Sequence, residues 1–212
     1  MRDIPMFTTE NGVASLILRE IPYRGEAYIR IQDTVAPEEL TEECISFCRI
    51  AGAEKIYATG HEYLQKFPLH TKVLQMVRSM DGLPQTDAMT IPITDQTLEQ
   101  WRQIYNDAMK PIDNASYMDT RGAKKLLQEG NGYFVHRDGE MLGIGIAADE
   151  TVHAVVSVKP GAGQDVLLAL THALFGERIV LEVASTNTRA IRLYERLGFI
   201  ATAELSTWYA VR

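Results

Sequence analysis

The chain has 212 residues, 46% apolar and 23% charged, the balance of a soluble globular protein long enough to bury a core without staples. Its net charge of −7, with no basic patch, argues against a nucleic-acid partner. No apolar run approaches the ~20 residues that span a membrane, and MRDIPMFTTE lacks a basic segment followed by an apolar one, so neither a membrane partner nor a signal peptide is expected.

Val13 to Leu18 and Ala27 to Ile31 read as strands, with a Pro- and Gly-bearing turn, IPYRGE, between them. A helix follows from Pro37, which suits a first helical position, with Glu38 and Glu39 at its positive end and Gly52 as its stop. On it Leu40, Cys44, Phe47, Cys48 and Ala51 share one apolar stripe. That pattern predicts buried free thiols, neither a metal site nor a disulfide, and fits a reducing cytoplasm. Lys55 to Thr59 is the next strand. The turn-rich Ser79 to Ala88 divides the chain into an N-terminal α/β portion, residues 1–85, and a second domain, residues 86–212.

MTIPIT, from Met89, opens the second domain as a short strand, and Leu98, Trp101, Ile104, Tyr105 and Ala108 mark an amphipathic helix. Tyr133 to His136 and Met141 to Ala147 form a hairpin that turns at Asp138-Gly139. Val152 to Val158 is a strand, Gln164 to Phe175 a helix, Ile179 to Val183 a strand and Asn187 to Leu197 a helix. Phe199 to Ala203 and Thr207 to Val211 close the chain as two strands. The fold class is α/β in layers: a mixed central sheet with flanking helices, plus the smaller N-terminal portion. FCRIAGAEKIYATG in the first part echoes THALFGERIVLEVAS in the second. The echo reads either as a degenerate half-copy of the second domain or as the common form of any helix-to-strand connection.

The chemistry sits in STNTRAIRLYERLGF, Ser185 to Phe199. On a wheel of about 100° per residue, Leu193, Leu197, Ala190, Tyr194, Asn187 and Ile191 fall on one arc, and Arg189, Arg192, Glu195 and Arg196 on the other. The inner arc carries two polar tips, Asn187 and Tyr194, about 10 Å apart along the axis. Ala190 between them leaves room for a chain to lie along the helix. Each tip alone has a bland role, since Asn caps helices and a half-buried Tyr bonds to backbone.

Together with the strand before and Gly198-Phe199 after, these residues resemble the GNAT superfamily of N-acetyltransferases. The family motif N-x-x-A-x-x-x-Y-E-x-x-G-F is met by Asn187, Ala190, Tyr194, Glu195, Gly198 and Phe199. The strand and helix order from Met89 to Arg212 fits the same family. The resemblance implies acetyl-CoA as cosubstrate and an amine, on a small molecule or a peptide, as acceptor. It implies Tyr194 as the general acid that protonates the leaving thiolate. It implies Asn187 and Ala190 beside the coenzyme arm, and Val156, Ser157 and Val158 as the strand that pairs with that arm and polarises the thioester.

The family's phosphate loop, [QR]-x-x-G-x-[GA], is shortened here. After Lys159-Pro160 come Gly161, Ala162, Gly163, Gln164 and Asp165, with the final G-x-G present and the preceding Arg or Gln missing. The resemblance assigns Gly161, Ala162, Gly163 and Gln164 to the coenzyme, with Lys159 lending charge and Asp165 either opposing it or favouring the helix start. His153 and Glu182 are base candidates whose strand parity suits ordinary solvated roles, and His61, His70, His136 and His172 show no ligand spacing. The function expected is acetyl transfer to an amine. The alternative is a non-catalytic module that binds coenzyme A or a protein through a decayed site, and a third possibility is a different acyl group.

Overall fold

A computed structural model describes residues 2–212. The chain divides into two compact units, Met1–Val73 with Glu204–Arg212, and Leu74–Ala203. The Ser79 to Ala88 turn lies inside the second unit.

The first unit contains strands β1 (Ile4–Thr9) and β2 (Gly12–Ile17), a short helix α1 (Ile21–Arg24), strand β3 (Glu26–Thr34), helix α2 (Pro37–Ile50), strand β4 (Lys55–Thr59) and a 3₁₀ turn, Glu62–Lys66. Strand β5 (Leu69–Ser79) then crosses the division between the units. Strand order is β1-β2-β3-β4, followed by residues 204–210 of the last strand and residues 69–73 of β5. Helix α2 begins with Pro37 at its first position, as its fixed φ favours. Its inner stripe of Leu40, Cys44, Ile45 and Cys48 packs with Leu16, Ile29 and Ile56 in one core. Both cysteines are free, and burial pushes their thiols up to about 12. Every residue of β4 is paired with β3, from Glu26↔Lys55 to Arg30↔Thr59. That edge is fully closed.

The second unit continues with strand β6 (Met89–Pro92), helices α3 (Leu98–Met109) and α4 (Thr120–Glu129), and strands β7 (Gly132–Arg137), β8 (Glu140–Ala148) and β9 (Thr151–Ser157). Helix α5 (Gly163–Thr171), strand β10 (Arg178–Ala184), helix α6 (Thr188–Arg196) and strand β11 (Ile200–Ala210) complete the chain. Its strand order is β6-β7-β8-β9-β10, then residues 74–79 of β5 and 200–203 of β11. The sheet is mixed: β6 to β9 run antiparallel and β10 runs parallel to β9. Asp138 and Gly139 make the β7–β8 turn, both with positive φ, 53° and 78°, as a two-residue hairpin of the primed type requires.

Two glycines of β8 set how closely α5 lies on this sheet. A methyl group on Gly143 would fall 2.1 Å from the Val156 carbonyl and 2.8 Å from Val166, and one on Gly145 would fall 2.2 Å from Leu170. The helix can therefore bury Val166 and Leu170 directly over β8. The opposite face is covered by α3, whose buried Trp101 donates Nε1–H to the Tyr133 carbonyl at 3.0 Å.

Three sequence expectations change. The two closing strands are one strand, β11, because Glu204 to Ser206 contain no residue that breaks extended backbone. The helix expected to reach Phe175 stops at Thr171, whose hydroxyl bonds to the Leu168 carbonyl. Beyond it, the amides of His172 and Ala173 tighten onto carbonyls three residues back. The IPYRGE turn is the helix α1, closed by Gly25 at φ 68°.

Candidate active site

The site begins where a ladder ends. Strands β9 and β10 are paired only at Val180↔Thr151 and Leu181↔Val152. Beyond Val152 the two strands separate. On its other side β9 stays bound to β8, through Ile146↔Ala154, Gly145↔Val155, Ile144↔Val156 and Gly143↔Ser157. The Val158 amide bonds to the Leu142 carbonyl at 3.0 Å. Antiparallel alternation then fixes which amides face which neighbour. Ala154, Val156 and Val158 point toward β8, and Val155 and Ser157 point toward the side that β10 has left.

A cleft of about 320 Å³ occupies this opening. Val155, Val156 and Ser157 form one wall, Gly161, Gly163 and Gln164 one end, and Asn187, Ala190, Leu193 and Tyr194 of α6 the facing wall. Ala108 and Met109 at the end of α3, with Ile112, close it further. The structure thus brings Val156, Ser157, Gly161, Gly163, Gln164, Asn187, Ala190 and Tyr194 to one place. Val158 and Ala162 stand outside the lining. Val158 is exposed with its amide committed to β8, and Ala162 is buried beneath the turn.

Helix α6 is held firmly at both ends. Asn187 is its N-cap, with Oδ1 accepting from the Ala190 amide at 3.2 Å. The cap leaves Nδ2 with no hydrogen-bond partner among the described residues. At the other end Gly198 takes φ 85° and the Phe199 amide returns to the Tyr194 carbonyl at 3.0 Å, a left-handed stop. Arg78 of β5 donates to the Leu197 carbonyl and caps the same end. Tyr194 is 8% exposed, with its ring 5.8 Å from that of Phe199. Its hydroxyl makes no hydrogen bond among the described residues, and burial pushes the phenol up to about 12. A buried Tyr ordinarily anchors its hydroxyl to some backbone group. This one is left to the cleft.

At the glycine turn, Gly161 takes φ 83° in open space. The first-turn amides of α5, Gly163 to Asp165, have no acceptor within the helix. Asp165 does not project free charge at this turn: it pairs with Arg137 at 3.0 Å and accepts from Thr86 at 3.0 Å. Lys159 is paired with Glu140, so its charge too is committed.

Neither base candidate lines the cleft. His153 is the extra residue of a bulge, since Ala154 pairs with Ile146 while Val152 pairs with Ala147, and its side chain is exposed. Glu182 is exposed between buried Leu181 and Val183. His61 caps the 3₁₀ turn and His70 stacks on Tyr57, both in the first unit. The sequence reading missed Val155, Leu193, Arg189 and Arg196, all of which border the cleft. Strand parity could have shown Val155, but the arginines read as solvent-facing.

Residues 98–199 match the model of the acetyltransferase (GNAT) family. This segment is a GNAT domain. It spans α3 to the end of α6, and so carries the glycine turn, the opened β9 edge and the Asn187–Tyr194 face together. The GNAT assignment supports acyl transfer as its chemistry. Solved structures share the fold. A GCN5-related N-acetyltransferase from Sphaerobacter thermophilus superposes with a TM-score of 0.57 at 11% identity, covering 94% of this chain and 76% of that one. A conserved protein of unknown function from Staphylococcus epidermidis gives 0.59 at 11%, over 96% and 91%. A tandem GNAT protein from the clavulanic acid biosynthesis pathway gives 0.50 at 10%, over 94% and 78%. No curated protein matches the sequence.

Proposed function

We propose that the GNAT domain transfers an acetyl group from acetyl-CoA to an amine. One observation carries the reading: the cleft joins an opened strand edge, a glycine turn at a helix start, and an unpartnered Tyr hydroxyl on the facing helix. An extended pantetheine arm carries amides of its own, and the Val155 and Ser157 edge offers them strand-like pairing. The Gly163 and Gln164 amides suit the diphosphate, and Asn187 Nδ2 is a donor left for the arm. The family's Val156–Val158 assignment therefore moves by one residue here, to the amides that β8 does not hold.

In the reaction the amine lone pair attacks the thioester carbon and a tetrahedral oxyanion forms. It collapses, the C–S bond breaks, and the sulfur leaves as a thiolate that takes the Tyr194 proton. The proton lost by the attacking nitrogen goes to water, since His153 and Glu182 both lie outside the cleft. A phenol near 12 is a weak acid toward a free thiolate, whose conjugate acid is ~8.5. Loss of water around the leaving sulfur narrows that gap, because desolvation raises a thiol as it raises a phenol.

The first unit is read as a degenerate half-copy. It repeats the antiparallel pair, crossover helix and parallel strand as β2-β3-α2-β4, matching β8-β9-α5-β10. In it the strand edge stays closed and a 3₁₀ turn stands in place of α6, so the chemistry rests with the second unit. The test is release of free coenzyme thiol from acetyl-CoA across a panel of amines. Turnover with at least one amine supports the reading. Acetyl-CoA binding without thiol release across the panel contradicts it.

A further inference from the structure

The shortened loop lacks the cation that would normally face a diphosphate, and its remaining charges are cancelled, Lys159 by Glu140 and Asp165 by Arg137. Positive charge reaches the cleft from another element. Arg189 and Arg196 of α6 both line it, and neither forms an ion pair or hydrogen bond among the described residues. We propose that Arg189 and Arg196 grip the phosphates of the donor, replacing the missing loop residue. This rests on acetyl-CoA being the donor.

The helix geometry explains the placement. At about 100° per residue, Asn187, Tyr194, Ala190, Leu193, Arg189 and Arg196 follow one another around one half of α6. Arg192 and Glu195 lie on the other half. The cleft-lining residues of α6 all lie on that first half, whose remaining member, Leu197, is buried in the core, and Arg192 is not among them. Leu193 brings this half of the helix against the start of α5, where a methyl group on Gly163 would lie 3.3 Å from its Cδ2. Arg189 and Arg196, four residues before and three after Leu193, share its face of the helix and so flank the residue that meets the glycine turn. In a chain of net charge −7, two uncompensated guanidiniums beside free helix-start amides form a site for phosphate, which Arg matches in bidentate fashion. An arginine on a helix surface is ordinarily just solvated, and Arg192 on the same helix supplies that reference.

The experiment is calorimetric titration of wild-type protein and of Arg189→Ala, Arg196→Ala and Arg192→Ala. The probes are coenzyme A, its form lacking the 3′-phosphate, and pantetheine, which has no phosphate. Each cleft-side variant is expected to bind coenzyme A about tenfold more weakly, the effect of one charge-assisted contact. Pantetheine binding should not change, and Arg192→Ala should match wild type. A loss that persists without the 3′-phosphate assigns the contact to the diphosphate, and a loss confined to intact coenzyme A assigns it to the 3′-phosphate. Either result supports the proposal. Unchanged coenzyme affinity in both cleft-side variants overturns it while leaving the acetyltransferase reading standing, as does an equal loss for pantetheine. Wild-type protein that fails to bind coenzyme A overturns both.

Discussion

Replacing Tyr194 by Phe removes one oxygen and nothing else. The ring keeps its place against Phe199, and the hydroxyl has no hydrogen-bond partner among the described residues to leave behind. Truncations that orphan a partner cost about 1–3 kcal/mol, and this one orphans none. Thermal stability should therefore match wild type to within about 1 kcal/mol. The catalytic effect should be far larger. Positioned general acids contribute about 10²- to 10⁴-fold, so kcat for acetyl transfer should fall by that range. Affinity for acetyl-CoA should change by no more than about threefold, because in the proposed role the hydroxyl is needed only while the C–S bond breaks. Steady-state kinetics, calorimetric titration and a melting curve on one protein preparation separate these quantities. Unchanged kcat would refute the role of the phenol. A fall in kcat matched by lost affinity or lost stability would show a packing role instead.

Other outcomes follow from the same geometry. Ala190→Leu keeps helix propensity and fills the space between Asn187 and Tyr194, so it should weaken acetyl-CoA binding at least tenfold in titration with little change in melting temperature. Gly143→Ala places a methyl group 2.1 Å from the Val156 carbonyl, and chemical denaturation should show a loss of about 1–3 kcal/mol or more. Tyr194 titrates higher in the folded chain, at about 12, than when unfolded, at ~10. The unfolded chain thus loses this proton first. Its share of stability is complete below pH ~10 and falls by on the order of 2–3 kcal/mol as pH rises to 12. Denaturant unfolding at stepped pH should show a shallower fall in Tyr194→Phe.

The α6 region was legible because local and tertiary demands agree there. Asn187 caps, Gly198 stops, and the apolar arc is continuous, so helix, boundaries and inward face all follow from spacing. Strand β5 was not. Val73 packs with Tyr28 and Trp208 in the first unit, while Leu74 and Met76 pack in the second, so its apolar residues never settle into one alternation. Helix α4 buries only Ala123 and Leu126 and carries Gly122 in its first turn, too little for a period to show. At the site, the residue types were readable and the opening was not. It exists because β10 leaves β9 after Val152, a tertiary event with no local marker, and only that departure puts the exposed Arg189 and Arg196 at the rim of a cleft. The bulge at His153 was likewise silent in a run of β-favouring residues.

The measurement that bears most directly on the central claim is amide-resolved hydrogen exchange with and without acetyl-CoA. In the free protein the ladder geometry predicts alternation along β9, with Ala154 and Val156 slow because they are bound to β8, and Val155 and Ser157 fast because β10 has departed. Saturating acetyl-CoA should slow Val155, Ser157 and Gly163 selectively. Binding that leaves Val155 and Ser157 unprotected would place the thioester elsewhere and contradict the account.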